Sequence, residues 1–252
     1  MKILITSDYA RLSRAAARIV KETLDANPAA NLVLPGGGTP LGMYEELARM
    51  HERGEIDFSS AHLFDLDTYA GISLSDPRSH HQYMMRHFVT KVGFDPSRWV
   101  YLDPTHPDLE EMCRRYEERI ARAGGLDLVI DGLGHNGHLG YNEPGAPWDS
   151  RTRLTELHPM TIRANARWVN SEDEVPRYGL TMGIATILEA KKLVIIVSGL
   201  DKAEIVAKVL LGPATLEVPM TAVRSHRDVT FLLDEAAASR LGDAVAATRI
   251  ER

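Results

Sequence analysis

The feature that most constrains this chain is the alternation of two hydrophobic periods along its length. Amphipathic segments with helical spacing, such as Tyr9–Ala26 and Leu109–Ala123, separate short aliphatic runs. This alternation is typical of βαβ units and of a mostly parallel sheet that is covered on both sides. The sequence therefore predicts an α/β fold, a three-layer sandwich with a mostly parallel, Rossmann-like sheet. The runs predicted as buried strands are Lys2–Thr6, Asn31–Pro35, His62–Asp67, Trp99–Leu102, Leu126–Gly132, Lys192–Ser198 and Val229–Leu233.

The length and the absence of linkers favour a single domain over residues 1–252. A chain of 252 residues fits one large domain or two small ones, at roughly 100–200 residues each. It has no internal repeat, no low-complexity tract and no linker rich in Pro, Gly or Ser. The longest purely aliphatic run, Leu193–Val197, is far shorter than the ~18 residues of a membrane span. Because the only cysteine is Cys113 and no signal-like segment is found, we expect a cytoplasmic protein.

The charge balance disfavours nucleic acid as a partner. The chain carries 29 basic and 35 acidic residues, for a net charge of −6, and it has no run of Lys or Arg. A nucleic-acid-binding protein would normally show a basic stripe. An anionic small molecule remains possible, but a few local donors would have to hold it, since the overall field repels it. We therefore expect a small-molecule ligand, with no nucleic-acid or membrane partner.

Three stretches rich in turn residues directly follow predicted strands, and ligands of open α/β sheets bind at such places. The first, Leu34-Pro-Gly-Gly-Gly-Thr-Pro40, leads into a predicted helix, Leu41–Met50. Thr39 can cap that helix, and Pro40 suits its first position. Glycines let backbone amides approach a bound group, and helix N-termini bind phosphate. Three glycines exceed what a tight turn needs, so phosphate binding is favoured, although the Gly-Lys-Ser/Thr ending of a P-loop is absent.

The second stretch, Thr68–Ser79, directly follows the third predicted strand, which ends in two acids, Asp65 and Asp67. Strand alternation places both carboxylates on one face. A carboxylate at the carboxyl end of a strand is well placed to act as a general base. Taken alone, the pattern favours the commoner alternative, an Asp that caps the following loop. His80 and His81 follow in the same loop and receive no role.

The third stretch, Gly132–Ser150, contains a G-x-G-x-x-G pattern directly after a strand. This pattern matches the dinucleotide fingerprint, which requires a helix to begin there. The residues that follow include two glycines and a proline, so we expect no helix and no nicotinamide cofactor. His135 and His138 lack a clear third ligand, so we also expect no metal site. His138 could act as an acid or base, with Glu143 to hold its tautomer, or it could be a solvated loop histidine.

These motifs resemble those of the glucosamine-6-phosphate deaminase family. The resemblance rests on three segments, Gly134-His-Asn-Gly-His-Leu-Gly-Tyr-Asn-Glu-Pro144, Leu34-Pro-Gly-Gly-Gly-Thr-Pro40 and Phe64-Asp-Leu-Asp-Thr-Tyr-Ala-Gly71. Four further segments extend it over nearly the whole chain: Ser150–Arg153, Ile162–Arg167, Tyr178–Gly183 and Ser198–Lys202.

The resemblance implies a NagB/RpiA-like fold and a cofactor-free, metal-free isomerisation with loss of ammonia. Glucosamine 6-phosphate and water would become fructose 6-phosphate and ammonia, in amino-sugar catabolism. Asp67 would move the C2 proton, and His138, with Glu143 and Asn136, would open the sugar ring. The residues that the resemblance assigns to the phosphate are Gly37, Gly38, Thr39, Arg167 and Lys202. Self-association is left open.

Departures from the family pattern keep a second substrate open. Thr68 stands where many members have Glu, and Asn136 stands where many have Asp. A deaminase for a related amino-sugar phosphate, such as galactosamine 6-phosphate, is therefore the main alternative. A 6-phosphogluconolactonase would be expected to carry Asp-Glu-Arg and Asp-Gly-His instead. A sugar-phosphate-sensing regulator would need a DNA-binding segment ahead of the first strand, which begins at Lys2.

We expect weak or no activation by N-acetylglucosamine 6-phosphate. Allosteric members of the family bind that ligand partly through a basic pair, of which Arg153 matches one residue while Thr155 stands in place of a Lys. The chain also lacks their longer C-terminal tail. Initial rates at subsaturating substrate, measured with and without this ligand, should agree. A large shift in the half-saturating substrate concentration would contradict the expectation.

Overall fold

The computed structural model describes residues 1–166, 171–243 and 246–250, and its elements follow the predicted alternation. The strands of these residues are β1 (Lys2–Thr6), β2 (Asn31–Val33), β3 (His62–Phe64), β4 (Asp67–Tyr69), β5 (Trp99–Val100), β6 (Leu128–Asp131), β7 (Arg153–Glu156), β8 (Tyr178–Thr181), β9 (Lys192–Val197), β10 (Val229–Asp234) and β11 (Thr248–Arg249). The α-helices are α1 (Tyr9–Ala26), α2 (Leu41–Glu52), α3 (His80–Met84), α4 (Leu109–Arg122), α5 (Pro159–Asn165), α6 (Ile184–Leu188), α7 (Ala203–Leu211) and α8 (Glu235–Ala238). A π-helical segment, Met85–Val89, extends α3.

Eight of the strands form one parallel sheet in the order β11–β1–β10–β9–β6–β2–β3–β5. In β9, Ile195 and Val197 pack into the core on one side of this sheet, and Val194 and Ile196 pack into the core on the other. Since both faces are covered, the strand is apolar at successive positions instead of alternating with polar residues.

Helices cover both faces of the sheet. On one face, α1, α2 and α3 contribute apolar side chains such as Leu12 and Met43 to the core. On the other face, α4, α6 and α7 contribute residues such as Tyr116, Ile187 and Val206. The predicted three-layer α/β fold is therefore confirmed, with every strand pair of the central sheet parallel.

Helix α1 has the bounds that its apolar spacing predicts. Asp8 caps it, because its carboxylate accepts a hydrogen bond from the amide of Arg11 at 2.8 Å. The buried stripe of α1, which includes Leu12, Ala16 and Val20, packs against α2. The opposite face of α1 is polar. No helix of the described residues is long and apolar enough to cross a membrane.

A second sheet is antiparallel, with the strand order β4–β8–β7. Its first strand, β4, begins three residues after β3 of the central sheet ends. The prediction of one strand over His62–Asp67 is wrong, because β3 ends at Phe64 and Asp67 begins β4. The backbone leaves the parallel ladder between them: the carbonyl of Leu66 accepts from the amide of Met182 at 2.8 Å. The break places Asp67 just beyond the carboxyl edge of the central sheet.

Several short elements escape the sequence patterns. The apolar spacing of Met182–Ala190 predicts a helix over that whole range, but only α6 forms, and it begins after Gly183. A Cβ at Gly183 would lie 2.0 Å from the carbonyl oxygen of Ser150, so the chain passes another loop too closely for a side chain. The stretch Thr68–Ser79, predicted as loop, begins within β4. The sequence pattern did not predict β7, β8 or α5.

The contact between α1 and α2 gives a stability test. Leu12 is 1% exposed, and replacing it by Ala leaves a cavity that costs about 2–5 kcal/mol of unfolding free energy. Leu211→Ala is the control, because Leu211 is a helical leucine that is 44% exposed and should cost less than about 1 kcal/mol. Urea denaturation of both variants measures the difference. Equal losses in the two variants would contradict the packing described here.

Candidate active site

A cavity of about 250 Å³ opens at the carboxyl edge of the central sheet. Four neighbouring strands, β9, β6, β2 and β3, end there. The chain order reverses between β2 and β6: β2, β3 and β5 follow one another toward one edge, and β6, β9 and β10 toward the other. Ligands of open α/β sheets bind at such a switch point. All three stretches predicted from the sequence to carry chemistry contribute residues to the walls of this cavity.

The glycine loop, residues 36–40, forms one wall of the cavity. Tyrosine hydroxyls bind its carbonyl oxygens: Tyr83 donates to Gly37 at 2.6 Å, and Tyr9 donates to Thr39 at 3.0 Å. Among the described residues, the amides of residues 36–39 have no hydrogen-bond acceptor. A loop with its carbonyls bound and its amides available offers backbone donors to an anion.

The start of α2 differs from the prediction. Helix α2 begins at Leu41 with Pro40 as its N-cap, and no side chain caps it. The expectation that Thr39 caps the helix and Pro40 opens it is therefore wrong. A turn comes first, because the amide of Leu41 bonds back to the carbonyl of Gly38 at 3.4 Å. Gly37, with φ of +100°, adopts a backbone conformation that favours glycine.

Asp67 lines the cavity from the first position of β4, with 12% of its side chain exposed. Its Oδ1 lies 2.9 Å from His80 Nδ1, and its backbone carbonyl lies 3.0 Å from the same nitrogen. Gly140 approaches the other carboxylate oxygen, since a Cβ there would lie 3.5 Å from Asp67 Oδ2. Asp67 is thus an oriented, largely dehydrated carboxylate that a ligand can still reach, as a general base must be.

Asp65 does not share this position. Its carboxylate accepts hydrogen bonds from Trp99 Nε1 at 2.7 Å and from the amide of Leu102 at 3.0 Å. Desolvation raises the pKa of Asp65 to about 7, against the lowering effect of those two hydrogen bonds. The prediction that Asp65 and Asp67 lie on the same face of one strand is wrong, because β3 ends at Phe64, before both of them.

Asp131, the last residue of β6, is a buried carboxylate at the base of the third loop. It accepts hydrogen bonds from the amides of Gly132 and Gly140, both at 2.7 Å. Desolvation and the negative charge of Asp67 raise its pKa to about 7, while the two amides lower it. Because it bridges two distant points of the loop, Asp131 fixes how the loop folds back on itself. The sequence pattern gave it no role.

Asn136, His138 and Glu143 form one connected group in the third loop. Glu143 Oε2 accepts from Asn136 Nδ2 at 2.7 Å and lies 3.3 Å from His138 Nδ1. Asn136 Oδ1 accepts from the amide of His138 at 3.2 Å. Asn136 and His138 line the cavity, and Glu143 lies behind them. The structure therefore brings these three sequence-predicted residues together.

The imidazole of His138 is 22% exposed and packs over the backbone of Gly134. A Cβ at Gly134 would lie 2.3 Å from His138 Nε2, so only glycine leaves room for the ring. Its Nδ1 also lies 3.2 Å from Thr161 Oγ1. In the described part of the chain Nε2 has no hydrogen-bond partner, which leaves it to exchange a proton with a ligand.

The charge of Glu143 fixes this arrangement. Burial raises the pKa of Glu143, but hydrogen bonds from His138, Thr161 and Asn136 and the charge of His138 outweigh burial, and the net pKa is lowered. The amide of His158 donates to the second oxygen, Oε1, at 3.2 Å. An ionised Glu143 accepts the proton of Nδ1, and so favours the tautomer of His138 in which Nε2 is basic.

His135 and His138 diverge. His135 Nε2 lies 2.8 Å from Asp201 Oδ2, and its Nδ1 lies 3.2 Å from Lys202 Nζ. The two imidazoles therefore do not converge on a common point. Residues 132–150, all of them described, contain no helix after β6, so the helix that the dinucleotide fingerprint requires is missing.

Lysine and arginine side chains from separate segments of the chain line the cavity. Lys202, predicted from the sequence, lines it after β9 and donates from Nζ to the carbonyl of Leu133 at 2.8 Å. Arg167, the other predicted phosphate ligand, lies outside the described residues. Arg78 and Arg86, which the sequence analysis did not single out, also line the cavity.

Asn142 joins the third loop to the small sheet. Its Nδ2 donates to the carbonyls of Leu139 and Met182, at 2.7 and 2.8 Å. Its Oδ1 accepts from Arg153 of β7 at 2.7 Å. All polar atoms of this fully buried side chain are thus used, and the loop that carries His138 is fixed to the sheet that carries Asp67.

Sequence reasoning missed two side chains that contact the predicted ones, His80 beside Asp67 and Thr161 beside His138. Both come from short helices, α3 and α5. The signals that could have located them are helix starts: Ser79 caps α3, and His158 followed by a proline caps α5.

The arrangement supports proton transfers on a phosphorylated small molecule. The cavity brings together the backbone amides of the glycine loop and Lys202, which can bind an anion, and Asp67 and His138, which can exchange protons. Isomerisation by acid–base catalysis requires groups that can exchange protons with the same bound molecule. The carboxylate of Asp67 and the imidazole of His138 face one cavity and so meet this requirement.

Comparison with known proteins identifies the family. Residues 7–232 match the family model described as glucosamine-6-phosphate isomerases/6-phosphogluconolactonase. The chain belongs to this family. A curated member, the glucosamine-6-phosphate deaminase of Thermoanaerobacter sp. (strain X514), is 43% identical over 243 residues, which cover 96% of each chain.

Two solved structures differ in how similar they are to this chain. A monomeric glucosamine-6-phosphate deaminase, described as a missing link of the NagB superfamily, superimposes with a TM-score of 0.92 at 42% identity, covering 95% of this chain and 99% of its own. The 6-phosphogluconolactonase of Trypanosoma brucei has a TM-score of 0.77 at 19% identity, covering 96% of this chain and 98% of its own. The second similarity shows a shared fold alone.

The hydrogen bonds to Glu143 predict a pH-dependent loss of stability. Because its folded pKa is lowered from the ordinary value of 4.5, its contribution is complete above that value and is lost as the pH falls. Glu143→Gln points an amide group at two donors and should cost about 1–3 kcal/mol at pH 7.5.

Urea denaturation of the wild type and this variant at pH 7.5 and pH 4 checks the prediction, and the difference should shrink at pH 4. Glu204→Gln, at an exposed residue paired with Lys208, is the control and should change little. A Glu143→Gln deficit that is the same at both pH values would contradict the electrostatic account.

Proposed function

We propose that the protein is a glucosamine-6-phosphate deaminase, which converts glucosamine 6-phosphate and water to fructose 6-phosphate and ammonia. One observation carries the proposal: Asp67 and His138, the latter held by Asn136 and Glu143, face a single cavity that also offers unpaired backbone amides. The relatives with that name support it, since their similarity extends over nearly the whole chain.

The phosphate would bind to the glycine loop. The amides of Gly37, Gly38 and Thr39 point to this role, because the carbonyls of the loop are held by tyrosines. Lys202 would add a positive charge, and Arg167 a second one, as the family resemblance implies. Local donors of this kind can hold a dianion on a chain whose net charge is −6.

Ring opening would depend on His138. The aldehyde forms when the C1 hydroxyl loses a proton and the ring oxygen gains one. His138 Nε2 can accept the first proton and return it to the ring oxygen, while Glu143 stabilises the imidazolium at Nδ1. Asn136 would orient Glu143 through the hydrogen bond from its Nδ2.

Asp67 would then transfer the proton that defines the isomerisation. In the open-chain form, the aldehyde at C1 acidifies the hydrogen on C2. Asp67 removes that proton while the ammonium group on C2 gives one of its protons to the aldehyde oxygen, which yields a neutral enol bearing an amino group. Asp67 then returns its proton to C1. The resulting imine at C2 adds water and releases ammonia, so every atom is accounted for without a redox step. Proton transfers and hydrolysis alone suffice, and so we propose that no cofactor takes part.

The position of Thr68 removes the main sequence argument for the galactosamine epimer. Thr68 is 2% exposed, and it is not among the described residues that line the cavity, whereas its neighbours Asp67 and Tyr69 are. Because successive residues of a strand face opposite sides, a change at position 68 does not alter the cavity wall directly. Galactosamine 6-phosphate, which differs only in the configuration at C4, is the second candidate.

We further propose that residues 1–252 work as one domain in the cytoplasm, on a small sugar phosphate. A single cavity-bearing central sheet supports one domain. The free thiol of Cys113, on the buried face of α4, is compatible with a reducing compartment.

Asp67→Asn tests the reaction and the base together. The amide cannot accept the C2 proton, so kcat for release of ammonia and fructose 6-phosphate should fall about 10²- to 10⁴-fold. Asp25→Asn, at an exposed residue of α1, is the control and should keep full activity. Galactosamine 6-phosphate is assayed in parallel.

Activity of the wild type on the gluco epimer, lost in Asp67→Asn alone, would support the proposal. Activity on galactosamine 6-phosphate instead would transfer the same mechanism to the second candidate. An Asp67→Asn variant as active as the wild type would exclude Asp67 as the base.

A further inference from the structure

We propose that His80 is a positioning residue for Asp67: it holds that carboxylate oriented and ionised through a hydrogen bond to one of its two oxygens. The function of Asp67 as a base rests on the function proposed above. The contact between the two side chains is a property of the resting protein, and it can be tested without any turnover.

The contacts of His80 leave its ring one orientation. Nδ1 lies 2.9 Å from Asp67 Oδ1 and 3.0 Å from the backbone carbonyl of Asp67. Nε2 lies 3.2 Å from the hydroxyl of Tyr141. Both partners of Nδ1 are acceptors, so Nδ1 must carry a proton whenever this geometry is present.

Packing supports the same orientation. His80 is the first residue of α3, whose start is fixed by Ser79 through a hydrogen bond to the amide of Gln82 at 3.1 Å. The imidazole centroid lies 5.0 Å from that of Tyr69 and 5.8 Å from that of Tyr141. The imidazole is 23% exposed and so is held between two aromatic rings at the cavity wall.

The Tyr141 hydroxyl completes a directional chain. Burial keeps the pKa of Tyr141 well above its ordinary value, so its hydroxyl remains protonated. A neutral His80 with a proton on Nδ1 can therefore donate to Asp67 and accept from Tyr141 at the same time. If His80 becomes protonated, Nε2 donates to the same hydroxyl oxygen. The geometry serves both charge states.

The charges around Asp67 explain why such a donor is needed. Burial and the nearby negative charge of Asp67 raise the pKa of two neighbouring carboxyl groups, Asp65 and Asp131, so three carboxyl groups lie close together here. The charged and titratable groups that face His80 are Asp67 and Tyr69 on β4, Asp65 just before it and Tyr141 on the third loop. Burial lowers the pKa of His80, but the contacts with Asp67 outweigh burial and the net pKa is raised.

The role has two separable consequences. The hydrogen bond to Oδ1 leaves Oδ2, on the side of Gly140, as the oxygen that points away from His80. The same bond stabilises the ionised form of Asp67, so it extends the activity of the base to lower pH. A residue that only filled space at position 80 would produce neither effect.

The first experiment is nitrogen-15 NMR of the histidines in the resting protein between pH 5 and 9. We expect neutral His80 to carry its proton on Nδ1, and we expect Asp67→Asn to lower its pKa while His81 does not respond. His81 is a suitable internal reference because it stacks on Trp99, at a centroid distance of 4.3 Å. A neutral His80 with its proton on Nε2 would overturn the proposal, whatever the substrate of the protein.

The second experiment measures kcat, KM and their pH dependence for three variants. His80→Phe keeps a ring between the tyrosines but donates no hydrogen bond. We expect kcat to fall about tenfold or more with little change in KM, and the acidic limb of kcat/KM to move up by about one pH unit. His80→Asn restores a donor near the position of Nδ1 and should recover most of kcat. His81→Phe keeps the stack on Trp99 and should match the wild type.

Equal losses in His80→Phe and His80→Asn with an unshifted pH profile would overturn the positioning role and leave a structural one. A wild type that turns over neither amino-sugar phosphate would refute the proposed function, while the NMR result would still decide whether His80 holds Asp67.

Discussion

The site depends on one constraint, which is that a parallel sheet covered by helices on both faces leaves only its strand ends for polar chemistry. Both faces of β9 and its neighbours are filled with aliphatic side chains. Carboxylates and an imidazole could not be buried there without a large loss of stability. The carboxyl ends of β9, β6, β2 and β3 provide loops instead, and each of these loops delivers one part of the site.

Neutral side chains donate hydrogen bonds to several acceptors around this site and so orient the groups that carry them. Tyr9 and Tyr83 bind carbonyls of the glycine loop, and Tyr44 binds the carbonyl of Pro35 at 2.6 Å. Each of these bonds satisfies an acceptor that would otherwise repel an anion. Asn136 plays the same part for Glu143. The net charge of the protein is therefore unimportant for anion binding, because the local dipoles are arranged for it.

The sequence was most informative where an element is long and amphipathic. Tyr9–Ala26 was predicted with its exact bounds, because eighteen residues of consistent spacing and a capping Asp leave few alternatives. The three-residue strands β3 and β4 were merged into one, since an apolar run does not show where backbone hydrogen bonds change partner. Among the site residues, those within one loop, such as His138 and Glu143, could be related by spacing alone. The contact between His80 and Asp67 could not, because it spans thirteen positions and depends on where α3 begins.

The bonds of Asn142 have a mechanical consequence. They join the loop that bears His138 to β7 and to the segment after β8, and β8 pairs with the strand that begins at Asp67. The small sheet and the loop are therefore joined through one buried side chain. The loop is also held to the central sheet, because the carboxylate of Asp131 at the end of β6 accepts a hydrogen bond from the amide of Gly140. The separation between the imidazole of His138 and the carboxylate of Asp67 is thus set at a buried junction of the two sheets, where solvent has little access.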